Sequence, residues 1–326
     1  MRRGLQVITI VVLLALLPVL MGPASARSYV SGNYMLELDG VNVGFVKSVS
    51  GGNAYADVVV EPAGSDPFVR KHIGQPKYEA FTTQIGLSMG KPMYDWISSS
   101  WQMNGQRRNG VVYTTDFNFN TTLSRNFYNA QLTETTIPAM DGASKEPAYI
   151  TIKFEPEYTR TMKAGKEQKV AAASAKGEQK LWLPSNFRLE IDGLDTSKVN
   201  KIDAFTVKQT AVKEDIGDAR DFKKDPGKLD FPNLKITLSA AAADSWTAWF
   251  EDFVVQGNNG QDKEKNGTLY MLATDRQTVL AKIKLFNMGV VSIGEVASEA
   301  GSDTIQRYQA ELYVERMEFE VPTGNR

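Results

Sequence analysis

The sequence predicts a mainly β protein made of two tandem copies of one unit, each running as strands, a single helix and then more strands. Three observations predict it. The pattern N-aromatic-x-L-E-aliphatic-D-G occurs twice, at residues 33–40 and 186–193. Each copy is followed by a tryptophan-bearing segment with apolar residues at helical spacing. Each half then closes on a long run of alternating apolar and polar residues. Self-similarity along a chain marks a duplicated structural unit, and alternation with period two marks a half-buried strand.

The chain opens with Arg2 and Arg3, a nearly unbroken apolar stretch over 8–20, and Pro23-Ala24-Ser25-Ala26. A positive start, a short apolar core and small residues in an A-x-A pattern are the parts of a cleavable signal peptide, assigned to 1–26. The apolar stretch is shorter than the roughly 20 residues a bilayer span needs. No cysteine follows it, so lipid attachment is excluded, and no later segment is apolar for long enough to cross a membrane. The expected location is therefore exported, periplasmic or extracellular, with no membrane span after cleavage.

The first unit is placed at 27–160. Asn33-Tyr34-Met35-Leu36-Glu37-Leu38 reads as a strand running into an Asp39-Gly40 turn. Gln84-Ile85-Gly86-Leu87-Ser88 reads as another strand. The helix is predicted from Met93, Trp96, Ile97 and Trp101. Phe127-Tyr128-Asn129-Ala130 and the alternating run from Ala148 to Phe154 are later strands. Residues 161–182 have the Ala, Lys, Gln, Gly and Glu composition of a linker. The second unit, at 183–326, repeats the order. It has Phe187 to Ile191 before Asp192-Gly193, Lys235-Ile236-Thr237-Leu238-Ser239, a helix carrying Trp246, Trp249, Phe250 and Phe253, then Leu285-Phe286-Asn287-Met288, and a closing strand from Ala310 to Phe319.

Composition narrows the function. The 326 residues carry a formal net charge of −1, and removing the leader takes away two arginines and no acid. Such a balance supplies no overall field to hold nucleic acid or an anionic membrane. The absence of cysteine rules out thiol catalysis, zinc–thiolate sites, iron–sulfur clusters and disulfides, so stability must come from burial and assembly.

Candidate chemistry is thin. Gly86-Leu87-Ser88-Met89-Gly90 fits G-x-S-x-G between a strand and a helix, but a nucleophile there needs a histidine after it as base. The sole histidine, His72, comes before it, in a charged, turn-rich stretch that reads as an exposed loop. The acidic groups Glu155 with Glu157, and Glu315, Glu318 and Glu320, read as solvated faces of strands. Asp262 to Gly267 reads as a solvated hairpin turn without calcium-loop spacing. Asn120-Thr121-Thr122 fits a glycosylation acceptor, discounted in a chain of bacterial type. The tryptophans read as core. No catalytic, cofactor or metal residue is assigned, and the protein is expected not to be an enzyme.

The order of these motifs resembles the tail tube proteins of contractile phages and related injection systems. Tyr34 to Gly40 resembles the family's F-x-V-x-I-D-G strand, and Lys77-Tyr78-Glu79 with Ile85 to Ser88 its K-Y-E-x-I-x-L-x-x-G. Tyr94-Asp95-Trp96-Ile97 resembles its helix, Arg107-Arg108 its paired arginines, and Phe127 to Ala130 its W-x-x-x-N-A strand. The second unit repeats the skeleton without the arginine pair, and Met288 stands after Asn287. The family's E-Y-R-x-G-G stretch is replaced in the first unit by Val58 to Pro62. The resemblance implies a small antiparallel barrel or sandwich with one flanking helix per unit, six units to a ring. A two-unit chain would then close as a pseudo-sixfold trimer, a homo-oligomer stacking into tubes with other assembly proteins as possible partners. The other class these features fit is a monomeric periplasmic or cell-surface β scaffold that binds glycan or protein through its loops. Concentration-dependent oligomerisation separates the two.

Overall fold

The computed structural model describes residues 32–61, 64, 68–163, 170, 182–214, 223–297 and 305–321. The leader assigned to 1–26 lies outside them, as does most of the linker. The described residues form one compact unit.

In the first repeat the strands are β1 (Asn33–Leu38), β2 (Val41–Val46), β3 (Ser48–Ser50), β4 (Ala54–Glu61), β5 (Arg70–Tyr78) and β6 (Phe81–Ile85). Helix α1 (Lys91–Trp101) follows, then β7 (Arg108–Thr115), β8 (Thr121–Ile137), β9 (Met140–Asp141), β10 (Ile150–Glu155) and β11 (Tyr158–Lys163). The hydrogen-bonded order is β2-β1-β7-β8-β10-β6-β3. Its two ends, β2 and β3, are separated by Lys47 alone, so the path curls back towards itself as a half-barrel, with no ladder between β2 and β3 among the described strands.

The second repeat has β12 (Phe187–Ile191), β13 (Val199–Ile202), β14 (Phe205–Glu214), β15 (Lys223–Asp230), β16 (Leu234–Ser239), helix α2 (Asp244–Phe250), β17 (Lys265–Leu272), β18 (Val279–Glu295) and β19 (Arg307–Glu320). Its order over β12-β17-β18-β19-β16 copies that of β1-β7-β8-β10-β6 in the first, and β13 lies beside β16. The hairpin β14–β15 corresponds to β4–β5.

Alternation explains the strands. Ile150, Ile152 and Phe154 of β10 are buried while Thr151, Lys153 and Glu155 are not. Phe154 packs 5.1 Å from Phe81 and 4.9 Å from Phe127, between ring centroids, and Trp96 of α1 lies 5.5 Å from it. Pro92 sits in the first turn of α1, where its missing N–H costs nothing. In the second repeat the helix changes character after Phe250. A π-helical turn at Glu251–Val255 widens the spiral and brings Phe253 into the core beside Trp249.

The N-aromatic…D-G and aromatic-Asn motifs are two sides of one construction. Asp39 (φ 48°) and Gly40 (φ 80°) make a left-handed turn. Asp39 N–H donates to Asn109 O, and Asp39 Oδ1 accepts from Asn109 N–H. The Asn109 side chain in turn accepts from Asn129 N–H at 2.8 Å, where β8 bulges with φ 49°. In the second repeat Asp192 N–H donates to Asn266 O, and Asn266 Oδ1 accepts from Asn287 N–H at 3.1 Å, with Asn287 at φ 52°. Asparagine tolerates this region better than other non-glycine residues. Asn287→Ala is therefore expected to cost about 1–2 kcal/mol and Asn287→Gly almost nothing, measured by urea denaturation.

The details depart from expectation at several places. The strand read over 84–88 ends at Ile85, and Leu87 and Ser88 form a turn. Ala148 and Tyr149 precede β10 rather than belonging to it. His72 is on strand β5, not in a loop, exposed and 3.7 Å from Glu61. Lys265, Asn266 and Gly267 lie inside β17, so the solvated turn ends earlier, at an exposed turn over Gln261–Lys263. At the expected linker, 161–163 complete β11, Val170 is buried with its N–H on Phe119 O, and Trp182 is buried at the far end.

Candidate assembly interface

The strongest feature outside the cores is the seam between the repeats. Strand β8 runs on beyond the first barrel and receives β14, antiparallel, with Phe205 opposite Ile137, Thr206 opposite Thr136 and Lys208 opposite Glu134. Past Pro138, β9 carries the same ladder onto β13, with Met140 opposite Ile202 and Asp141 opposite Lys201. Pro138 offers no N–H, so the ladder breaks there without losing register. Each repeat has thus lent backbone to the other's sheet.

Side chains close the seam. Thr136 and Thr206 share a hydroxyl–hydroxyl hydrogen bond of 2.9 Å. Ser100 Oγ donates to Gln209 Oε1 at 2.9 Å. The outer face of α1 is covered by the end of β19, where Phe319 stacks 5.9 Å from Tyr94 and meets Trp101 edge-on at 5.6 Å. Phe231 meets the other edge of Trp101 at 6.2 Å. Helical spacing alone predicts Met93, Trp96, Ile97 and Trp101 as the buried stripe. Tyr94 and Ser100 are buried too, because a second repeat covers the helix from outside.

The third part is a charged cluster. Glu157 and Glu155, expected as a solvated face, are instead taken up across the seam. Glu157 is only 10% exposed in its side chain, and accepts from Arg107, from Asn129 Nδ2 at 2.6 Å and from Lys224 N–H at 3.1 Å. Lys224 Nζ donates to Glu155 at 3.1 Å and to Pro156 O at 2.9 Å. Arg107 also pairs with Asp225, whose carboxyl is held below its usual range by the Lys223 hydrogen bond first and by Arg107 as well. Acids near a strand end stay in water unless another element supplies donors, and here β15 does. Glu318 and Glu320 are likewise paired, with Arg316 and with Lys282 and Lys284. Of the two arginines that drew attention in sequence, Arg107 works at the seam and Arg108 holds Asp39 at 2.8 Å.

Ser88 lies exposed in the turn before α1, beside a cleft of about 460 Å³ whose lining includes Lys91, Tyr94, Asp95 and Phe319. No histidine lines it. Tyr94 donates to Leu87 O, and burial raises its hydroxyl pKa. Asn120 is half-buried, with its side chain on Asp116 Oδ2 at 2.9 Å. Among the described residues no three His, Cys, Asp or Glu side chains gather as a metal site, and no helix is long and apolar enough to cross a membrane.

The sequence pattern of the T4-like virus tail tube protein gp19 family matches residues 30–160 and again 183–318. No curated protein matches the chain. Similar solved structures include the anti-feeding prophage cap (AFP tube terminating cap), 22% identical, with a TM-score of 0.39, covering 45% of this chain and 100% of that one. A chain of the PVC sheath-tube complex of an extracellular contractile injection system is 20% identical, with a TM-score of 0.38, covering 43% and 95%. Hcp1 from Flavobacterium johnsoniae is 11% identical, with a TM-score of 0.25, covering 41% and 96%.

Proposed function

The chain belongs to the T4-like virus tail tube protein family, a structural and not an enzymatic one, with two copies of the tube domain, and from that premise we propose that it self-assembles into rings or tubes. Three chains supply six domains to a pseudo-sixfold ring, and stacked rings make the tube. Sheath-like or cap-like proteins are its expected neighbours. Residues 1–26 direct the chain out of the cytoplasm.

One observation carries this reading: the seam inside the chain is head-to-tail. The first repeat uses β8, β9 and α1, and the second uses β13, β14 and the end of β19. A contact between different surfaces of like units leaves one of each surface unused at the two ends, and repetition gives a ring or a filament. A symmetric, self-paired seam would instead have ended the assembly at one chain.

Mass photometry and negative-stain microscopy across a range of concentrations test the proposal on protein exported with its own leader. Trimer masses and rings with six-lobed outlines are expected. A monomer at every concentration would overturn self-assembly and leave the loop-binding scaffold as the function. In the same sample, mass spectrometry is expected to find Arg27 as the first residue.

A further inference from the structure

The second repeat carries an uncovered counterpart of the edge that β14 covers on the first. The alignment that sets Asn129 on Asn287 places Glu134–Ile137 of β8 against Ser292–Glu295 of β18. In the first repeat this segment pairs on both sides, with β10 and with β14. In the second it pairs, among the described strands, on one side only, with β19. Thr135 and Ile137 are wholly buried, while Ser292, Gly294 and Glu295 are exposed and Val291 and Val296 beside them are 44% and 40% exposed. An exposed strand edge with apolar neighbours is a template for another strand.

The complementary surface is on the first repeat. Lys47 N–H donates to Gln84 O and Asp203 N–H to Lys235 O, so the two chains enter their barrels alike. That alignment places Phe205 against Val49 and Thr206 against Ser50. Strand β3 pairs with β6 on one side, and its other edge beyond β2 has no partner among the described strands. After it the two repeats diverge. Gly51 and Gly52, at φ 81° and 79°, turn the first hairpin back on its own repeat, where Arg125 donates to Gly51 O at 2.5 Å. Val207 and Lys208 stay extended in the ladder with β8.

A second zone follows the same logic. The Tyr94 and Trp101 face of α1 is covered by the end of β19. On the second repeat the corresponding helical segment ends with Val254 and Val255 exposed. The first repeat's counterpart to the end of β19 is β11, where Met162 is exposed.

We infer that the β18 edge at Ser292–Glu295 of one chain adds antiparallel to the β3 edge of a second copy, with Gly294 opposite Ser50 as Thr136 is opposite Thr206. Val254 and Val255 then meet the β11 end of that copy around Met162. This rests on the assembly reading and names its surfaces. Backbone pairing supplies the affinity and the pattern of side chains sets the register, as in other strand additions.

The chain has no cysteine, which makes the register directly readable. A cysteine placed at Gly294 meets no atom within 4 Å inside its own chain. Gly294→Cys with Ser50→Cys, oxidised in the full chain, is expected to give a non-reducing ladder of dimers and trimers, absent from either single variant. Thr136→Cys with Thr206→Cys serves as the internal control, closing within one chain without change of mass. Rings from the unsubstituted protein without any 294–50 cross-link would overturn these surfaces and leave the assembly reading standing. A monomer at all concentrations, with no cross-link, would overturn both.

Discussion

Trp101→Ala is expected to lower the unfolding free energy by about 3–5 kcal/mol, the range for removing a large aromatic from a packed core. Trp101 is 2% exposed, and its ring touches Phe231 and Phe319. Both belong to the other repeat, so the cavity opens at the seam and not inside one barrel. With a total stability of about 5–15 kcal/mol for an ordinary domain, such a loss removes a large share of what joins the repeats. Hydrogen exchange is expected to quicken at α1 and at the end of β19 before the barrel strands. The indole N–H of Trp101 finds no partner among the described residues, so Trp101→Phe gives up ring volume without orphaning a hydrogen bond. It is expected to cost about 1–2 kcal/mol, since a volume-reducing swap that keeps an aromatic ring leaves only a small cavity. Urea denaturation checks both values, and a cost below about 1 kcal/mol for the alanine variant would contradict the role assigned to this contact.

Gly294→Lys is expected to abolish assembly while leaving the monomer intact. Inside the chain the new side chain has open space, and the β18–β19 pairing on the other side of the strand is untouched. At the inferred contact the ammonium would take the half-buried place that Thr136 holds in the internal seam. Partly desolvating an unpaired charge there costs about 3 kcal/mol, the lower end of the range for a buried charge left without a partner. That corresponds to about two decades in association constant. Mass photometry is expected to find monomers at concentrations about 100-fold above those at which the unsubstituted chain forms rings. The circular dichroism spectrum should not change. Lysine on exposed edges is also how natural sheets keep such edges from pairing. Rings at the original concentration would show that this edge does not face a neighbour.

The repeats were legible because their markers are local. An Asp-Gly turn and an asparagine at a bulge each answer to the backbone angle at one position, and Asp39, Asp192, Asn129 and Asn287 all hold positions of this kind or its hydrogen-bond partner. Tryptophans at helical spacing and period-two alternation told which side chains go inward. Glu155 and Glu157 were misread as solvated because their donors, Arg107, Lys224 and the Lys224 N–H, are brought by a helix-to-strand connection and by a hairpin nearly seventy residues on. Tyr94 and Ser100 were missed as buried positions for the same reason.

By itself the sequence determined the duplication, the mainly β class, the single helix of each repeat and the core aromatics. Only the tertiary structure decided that the repeats exchange strands, that Thr136 faces Thr206, and that the matching edge at Ser292–Glu295 is left uncovered. Alternation reports the face of a strand, which side chains occupy. The edge of a strand is made of N–H and C=O groups that every residue but proline carries alike, so which strand lies beside it is written in the fold and not in any residue type.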